Sequence, residues 1–243
     1  MTTILVTGGT GTLGRQVVPL LRQTGAKVRV LSRNAANGDV VADLLTGEGV
    51  ADAVDGAEIV LHLAGAQKGD DVATRNLVAA ARTAGVRHLV YISVIGVGRV
   101  PLAWLRMKEA AEQAVAESGV PWTTLRAAQF HDLVRTTLQG MTKSPIVPVP
   151  GGLRFQPVDA RDVAGRLVEL ALGEPAGLVP DLAGPRVYDM RELITGYLRT
   201  TGKRRLLLPV RIPGAAGKAY RSGANLTVTG ADLGSRTWEE FLN

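Results

Sequence analysis

The chain has 243 residues, 46% of them hydrophobic, enough for one large α/β domain with a sizeable core. It holds no cysteine, which excludes disulfides, thiol nucleophiles, cysteine zinc sites and iron–sulfur clusters, and its three histidines, His62, His88 and His131, lie too far apart for a recognisable metal spacing. The formal net charge is +6, but only Lys203, Arg204 and Arg205 are adjacent cations and aromatics are 4%, so no nucleic-acid partner is expected and a general attraction for anionic ligands explains the balance.

A strand predicted over 4–7 runs directly into a glycine-punctuated turn. Gly9, Gly11 and Gly14 fit the spacing G-x-G-x-x-G, while Gly8, Gly11 and Gly14 fit G-x-x-G-x-x-G. Both spacings serve one physical need: a tight turn, a close approach of backbone to pyrophosphate, and close packing of helix on strand. The following helix start offers N–H groups to phosphates, so Gly8, Thr10, Gly11, Thr12, Leu13 and Gly14 read as a dinucleotide site. Leu13, Val17, Leu20 and Leu21 mark the buried face of that helix, which ends by Gly25, and Pro19 inside it is expected to kink or shorten it.

The second strand, over 27–31, delivers Ser32 and Arg33 at its C-terminal end. A carboxylate there would bind the ribose 2′-hydroxyl of NAD, whereas an arginine accommodates the 2′-phosphate of NADP. Arg15, a cation in the first turn of a helix, opposes the macrodipole unless a phosphate binds beside it. NADP(H) is therefore expected in preference to NAD(H).

Further strands are predicted over 40–42, 58–63, 88–93 and 122–126, with helices over 72–84 and 103–117 between them, which gives a doubly wound parallel sheet of Rossmann type. The apolar run over 89–98 is too short to span a bilayer and no basic leader opens the chain, so a cytoplasmic protein without a membrane partner is expected, as monomer or homodimer. Beyond a Pro- and Gly-rich stretch over 144–152, Asp159 and Asp162 begin another helix, and helical segments follow over 190–201 and 238–242. The chain is read as a single domain, 1–243, in which 144–243 elaborates the C-terminal side and covers a small-molecule substrate at the strand ends.

The runs TGGTGTLGR at 7–15, GVRHLVYIS at 85–93, QPVDARDVA at 156–164 and TWEEFL at 237–242, with Arg33 and Asn34 after the second strand, resemble the atypical short-chain dehydrogenase/reductases, within them the NmrA-like NAD(P)H-binding group. The resemblance covers essentially the whole chain. It implies cofactor contacts from Gly8, Gly11, Gly14, Arg15 and Arg33, adenine-side contacts from Asp43 and Leu44, and a further contact from Ala64 and Gly65. Of the Ser, Tyr and Lys used by standard members, Ser93 and Lys108 stand at matching positions and Trp104 replaces the Tyr. An indole N–H donates a hydrogen bond but does not titrate near neutral pH, so Lys108 is expected to position cofactor instead of tuning a phenol. Tyr91 shares strand parity with Ser93 but is read as core. His131, after the sixth strand, is either a proton donor or a helix-start histidine bonded to its neighbours, and Gln129 and Phe130 are expected in the pocket wall. The leading reading is NADP(H)-dependent hydride transfer to a small conjugated acceptor such as a quinone or enone. The alternative is a non-catalytic NADP(H)-binding redox sensor.

Overall fold

The computed structural model describes residues 1–34, 36, 38–65 and 68–243. In chain order its elements are β1 (Thr3–Thr7), α1 (Gly14–Gln23), β2 (Lys27–Ser32), β3 (Val40–Val41), α2 (Val50–Val54), β4 (Ile59–His62), α3 (Asp70–Thr83), β5 (His88–Val94), α4 (Ala103–Ala116), β6 (Trp122–Ala127) and α5 (His131–Met141). There follow β7 (Ile146–Pro150), β8 (Arg154–Phe155), α6 (Ala160–Leu172), β9 (Gly177–Leu178), β10 (Leu182–Ala183), β11 (Tyr188–Asp189), α7 (Met190–Thr200), β12 (Leu206–Val210), α8 (Gly214–Ser222), β13 (Asp232–Leu233) and α9 (Trp238–Leu242).

β1, β4 and β5 are near-continuous apolar runs because both their faces are covered. The main sheet runs β13-β10-β6-β5-β4-β1-β2-β3, with β9 also paired to β6, and its strands are parallel. On one face Ile4, Val6 and Leu61 pack with Val17 and Leu21 of α1 and Leu167 of α6. On the other, Leu5, Val60 and Leu89 pack with α2, with Leu77 and Ala81 of α3, and with Ala111 and Val115 of α4. The doubly wound sheet read from the sequence is thus the sheet observed.

The strand order reverses between β1 and β4, and a crevice opens at that point beyond the C-terminal ends of the strands. α1 runs unbroken from Gly14 to Gln23 despite Pro19. Pro19 lies on the exposed face, so the carbonyl four residues earlier, at Arg15, loses its helical partner on the side where water can replace it.

The C-terminal region spends its apolar residues on a separate cluster. Leu138 of α5, Val147 and Val149 of β7, Leu193 and Ile194 of α7, and Trp238 of α9 close around one another. The residues lining the crevice end at Thr136, and the later chain supports the lining from behind, as where Ala219 and Tyr220 of α8 pack on the cluster that includes Trp104.

Candidate active site

The crevice has a volume of about 980 Å³, room for a dinucleotide and a small second ligand. Its phosphate end is the β1–α1 turn. Gly8 has φ +68°, and a Cβ there would stand 2.6 Å from the Ala64 backbone nitrogen; a Cβ at Gly14 would stand 2.3 Å from the Gly8 carbonyl oxygen. Gly8, Gly11 and Gly14 line the crevice, whereas Gly9 does not, and a Cβ there would meet Val30 in the packing behind the turn. α1 starts with no side-chain cap and no acidic residue in its first turn, leaving the positive end of its dipole open. This tight glycine turn at an uncapped helix start fits a pyrophosphate.

Arg33 and Ser32 line the crevice at the end of β2, and Asp43 and Leu44 line it beyond β3. Arg33 is exposed and makes no ion pair among the described residues, so its guanidinium is available to an anion. Asp43 spends one carboxylate oxygen as acceptor for the Leu45 N–H, 2.8 Å away. Arg15 does not line the crevice; its Nε donates to the Thr10 carbonyl oxygen at 2.9 Å, so its contact with the glycine turn is made through the backbone.

At the other end, Ala64, Gly65, Ser93, Trp104, Lys108, Gln129 and Phe130 share the wall. Trp104, Lys108 and Glu112 are spaced i, i+4, i+8 on α4 and so form one stripe facing the sheet. The Lys108 Nζ is 3.0 Å from an Asp70 carboxylate oxygen and donates to the Tyr91 hydroxyl at 3.1 Å. Tyr91 is wholly buried, stacks on His62 with ring centroids 5.3 Å apart, and does not line the crevice. Burial, followed by the Asp70 and Glu112 carboxylates, pushes its phenol far above the ordinary range. Ser93 Oγ donates to a carboxylate oxygen of Glu112, and Arg126 grips that carboxylate with Nε at 2.9 Å and Nη2 at 2.5 Å. The same bond to Glu112 raises the Arg126 guanidinium further.

Beneath this wall a chain of directed hydrogen bonds ties the loops together. The Ala64 N–H donates to Thr7 Oγ1 at 3.2 Å, and the Thr74 hydroxyl donates to the Asp70 carbonyl oxygen at 2.7 Å. His62 sits between them, Nδ1 at 2.7 Å from Thr7 Oγ1 and Nε2 at 3.1 Å from Thr74 Oγ1. Because the Thr74 proton is committed, Nε2–H must donate to Thr74, and neutral Nδ1 accepts from Thr7. Burial, assisted by the Lys108 charge and opposed by Asp70, lowers the His62 pKa to about 4 and keeps the ring neutral.

His131 is not in the wall. It is 0% exposed, its ring lies 5.1 Å from that of Phe241 and 5.7 Å from that of Trp238, and burial holds its pKa below the ordinary value. Its neighbour Phe130 faces the crevice, and the first residue of α5 turns the other way into the C-terminal cluster. Asp70, Glu112 and Arg126 were not singled out in the sequence. The i+4 step from Lys108 to Glu112 was a usable signal for one of them. No group of three His, Asp or Glu side chains among the described residues could hold a metal ion.

The fold and this crevice define a Rossmann-type dinucleotide-binding protein. Residues 8–172 match the NAD(P)H-binding family. The chain is 30% identical to a (4-alkanoyl-5-oxo-2,5-dihydrofuran-3-yl)methyl phosphate reductase of Streptomyces griseus subsp. griseus, over 94% of this chain and 88% of that one. It is 31% identical to an NAD(P)H azoreductase of Xenophilus azovorans, over 82% and 74%. The NADPH complex of an NADPH-dependent quinone oxidoreductase of Escherichia coli has the same fold, with TM-score 0.83 at 20% identity over 98% of each chain. The chain belongs to the NAD(P)H-binding family and is an oxidoreductase of the atypical short-chain dehydrogenase/reductase type.

Proposed function

We propose that this protein is an NADP(H)-dependent reductase that delivers hydride to a small conjugated acceptor of the quinone or enone class, working in the cytoplasm. The carrying observation is the crevice wall itself: among the described residues it contains no Tyr, His or Cys. Tyr91 is sealed beneath Lys108, His131 faces the C-terminal cluster, and the Ser93 proton is already committed to Glu112. Such a wall neutralises an isolated alkoxide poorly. A quinone or enone passes instead to a delocalised anion that takes its proton from water.

When bound, NADPH supplies the hydride. The chain's own residues do the rest. The glycine turn and the open end of α1 bind phosphate, and unpaired Arg33 supports a preference for the 2′-phosphate of NADP(H). Lys108, held between Asp70 and Tyr91, orients the ribose beside the reacting ring, and Trp104, Gln129 and Phe130 shape a flat site for the acceptor. The names of the azoreductase and quinone oxidoreductase relatives agree with flat conjugated acceptors. Steady-state comparison of a quinone with an isolated ketone tests the reading: the quinone should be reduced with a far higher kcat/KM, and equal rates on both would refute it.

A further inference from the structure

We propose that the outer face of the β7–β12 ribbon docks the protein on an anionic lipid bilayer. The first observation is charge segregation. Residues 133–158 and 193–231 carry ten of the 28 Lys and Arg and none of the 22 Asp and Glu, so the remaining chain holds 18 cations against 22 anions. Folding brings the two acid-free segments together. β7 pairs in parallel with β12, the Gly151 N–H donates to the Val210 carbonyl oxygen at 2.9 Å, and Arg205 Nε donates to the Thr142 carbonyl oxygen at 2.9 Å. Arg135 is paired with Asp132. The other nine cations make no ion pair among the described residues.

The second observation is what these cations surround. Val147, Val149 and Leu207 turn inward to the C-terminal cluster, so their neighbours must turn outward. The outward residues are Ile146 and Pro148 on β7, paired in register with Leu206 and Leu208 on β12. Leu206 is 65% exposed and Leu208 51%, and Ile212 follows at the end of the ribbon, also exposed. A two-stranded ribbon facing only water would carry polar residues at these positions. Lys143 precedes one strand and Lys203 and Arg204 precede the other, at the same end of a parallel pair, while Arg211 stands at the opposite end. The face is therefore an apolar ladder bracketed by unpaired cations.

A second copy of the chain would bring an equal excess of positive charge onto this one. Nucleic acid would satisfy the cations and offer nothing to exposed leucines. An anionic bilayer satisfies both, with phosphates for the cations and the headgroup–acyl boundary for the ladder. Among the described residues no helix is long and apolar enough to cross a membrane, and docking of this kind requires none.

The test is sedimentation of the full chain with vesicles of phosphatidylcholine alone and of phosphatidylcholine mixed with phosphatidylglycerol. The protein should sediment only with the mixed vesicles and should be released as salt rises well past about 0.15 M. Lys203→Glu with Arg204→Glu should lower the partition constant at least about tenfold, since each cation contributes about fivefold. Leu206→Ser with Leu208→Ser should also weaken binding. NADPH titration should show both double variants folded with unchanged affinity. Failure of the wild type to sediment with mixed vesicles overturns the proposal, as does equal binding to both vesicle types. Unchanged binding by the leucine variant would reduce the face to a nonspecific polycation and overturns it too. So does a concentration-dependent dimer in ultracentrifugation that the leucine variant abolishes, because the face would then belong to a second copy.

Discussion

Lys108 and Asp70 meet at 3.0 Å at the edge of the crevice, with only 11% and 3% of their side chains exposed. A pair so enclosed couples its members, because removing the Asp70 carboxylate leaves the Lys108 ammonium as a buried charge without its counter-ion. Asp70→Asn should therefore cost about 3 kcal/mol of stability, and adding Lys108→Met should recover much of that loss. Urea unfolding of the three variants checks this. A double variant no more stable than Asp70→Asn would mean the two residues do not act as a pair.

The proposed preference for NADP(H) rests on Arg33. Loss of a charge-assisted phosphate contact is worth roughly 1.5–3 kcal/mol, so Arg33→Asp should weaken NADPH binding at least about tenfold and leave NADH binding far less affected. Titration of both nucleotides into wild type and variant reads the ratio directly; an unchanged ratio would remove Arg33 from the site.

Gly14→Ala should abolish NADPH binding and destabilise the fold, because the new Cβ would stand 2.3 Å from the Gly8 carbonyl oxygen and that oxygen is backbone. Gly25→Ala is the matched control: Gly25 also has positive φ, but nothing lies within 4 Å of a Cβ there, so that variant should bind NADPH normally at a modest cost in stability. Equal nucleotide affinity in the two variants would contradict the cradle.

Stability should fall on the acid side of neutrality. His62 has a folded-state pKa of about 4 against an ordinary 6.5, so between these values the unfolded chain binds a proton that the native chain does not. The neutral ring's contribution is complete above pH 6.5 and is lost as pH falls toward 4, by about 3 kcal/mol over the whole window. His88 and His131, also lowered by burial, act in the same direction. Urea midpoints measured from pH 7 to pH 4.5 should decline in the wild type and decline less in His62→Asn. A flat wild-type profile would contradict the buried neutral ring.

The two α4 residues that face the crevice should separate cleanly in kinetics. Lys108→Ala should lower kcat on the order of a hundredfold, the usual consequence of misplacing a reacting ring by about an ångström, while Trp104→Phe keeps the flat apolar wall and much of the turnover. A sharp loss in Trp104→Phe would show the indole N–H orienting the substrate.

What could be read in advance follows from the range of the interactions. Gly8, Gly11 and Gly14, the ends of β1, β2, β4, β5 and β6, and the i, i+4 placement of Trp104 and Lys108 are local in sequence, and the structure has them where expected. The partners of the wall residues are not local: Asp70 reaches Lys108 across 38 positions, and Arg126, in register with Ser93 across β5 and β6, shares the Glu112 carboxylate of α4 with it. The surroundings of His131 are equally non-local, since Trp238 and Phe241, which enclose it, lie over a hundred residues away. α8 leaves little trace in the sequence because its run of Gly and Ala carries little periodicity. The cation-rich ribbon leaves its mark in the sequence as the absence of carboxylates over 193–231, which adjacency of cations alone does not show.

Anaerobic NADPH oxidation with a panel of quinones and enones decides whether a crevice without a phenol among the described residues reduces conjugated acceptors. Steady, acceptor-dependent consumption of NADPH is expected, saturable in both substrates, with one reduced acceptor formed per NADPH oxidised. Saturable NADPH binding with no consumption across the whole panel would contradict it and leave a protein that binds the cofactor to report on it.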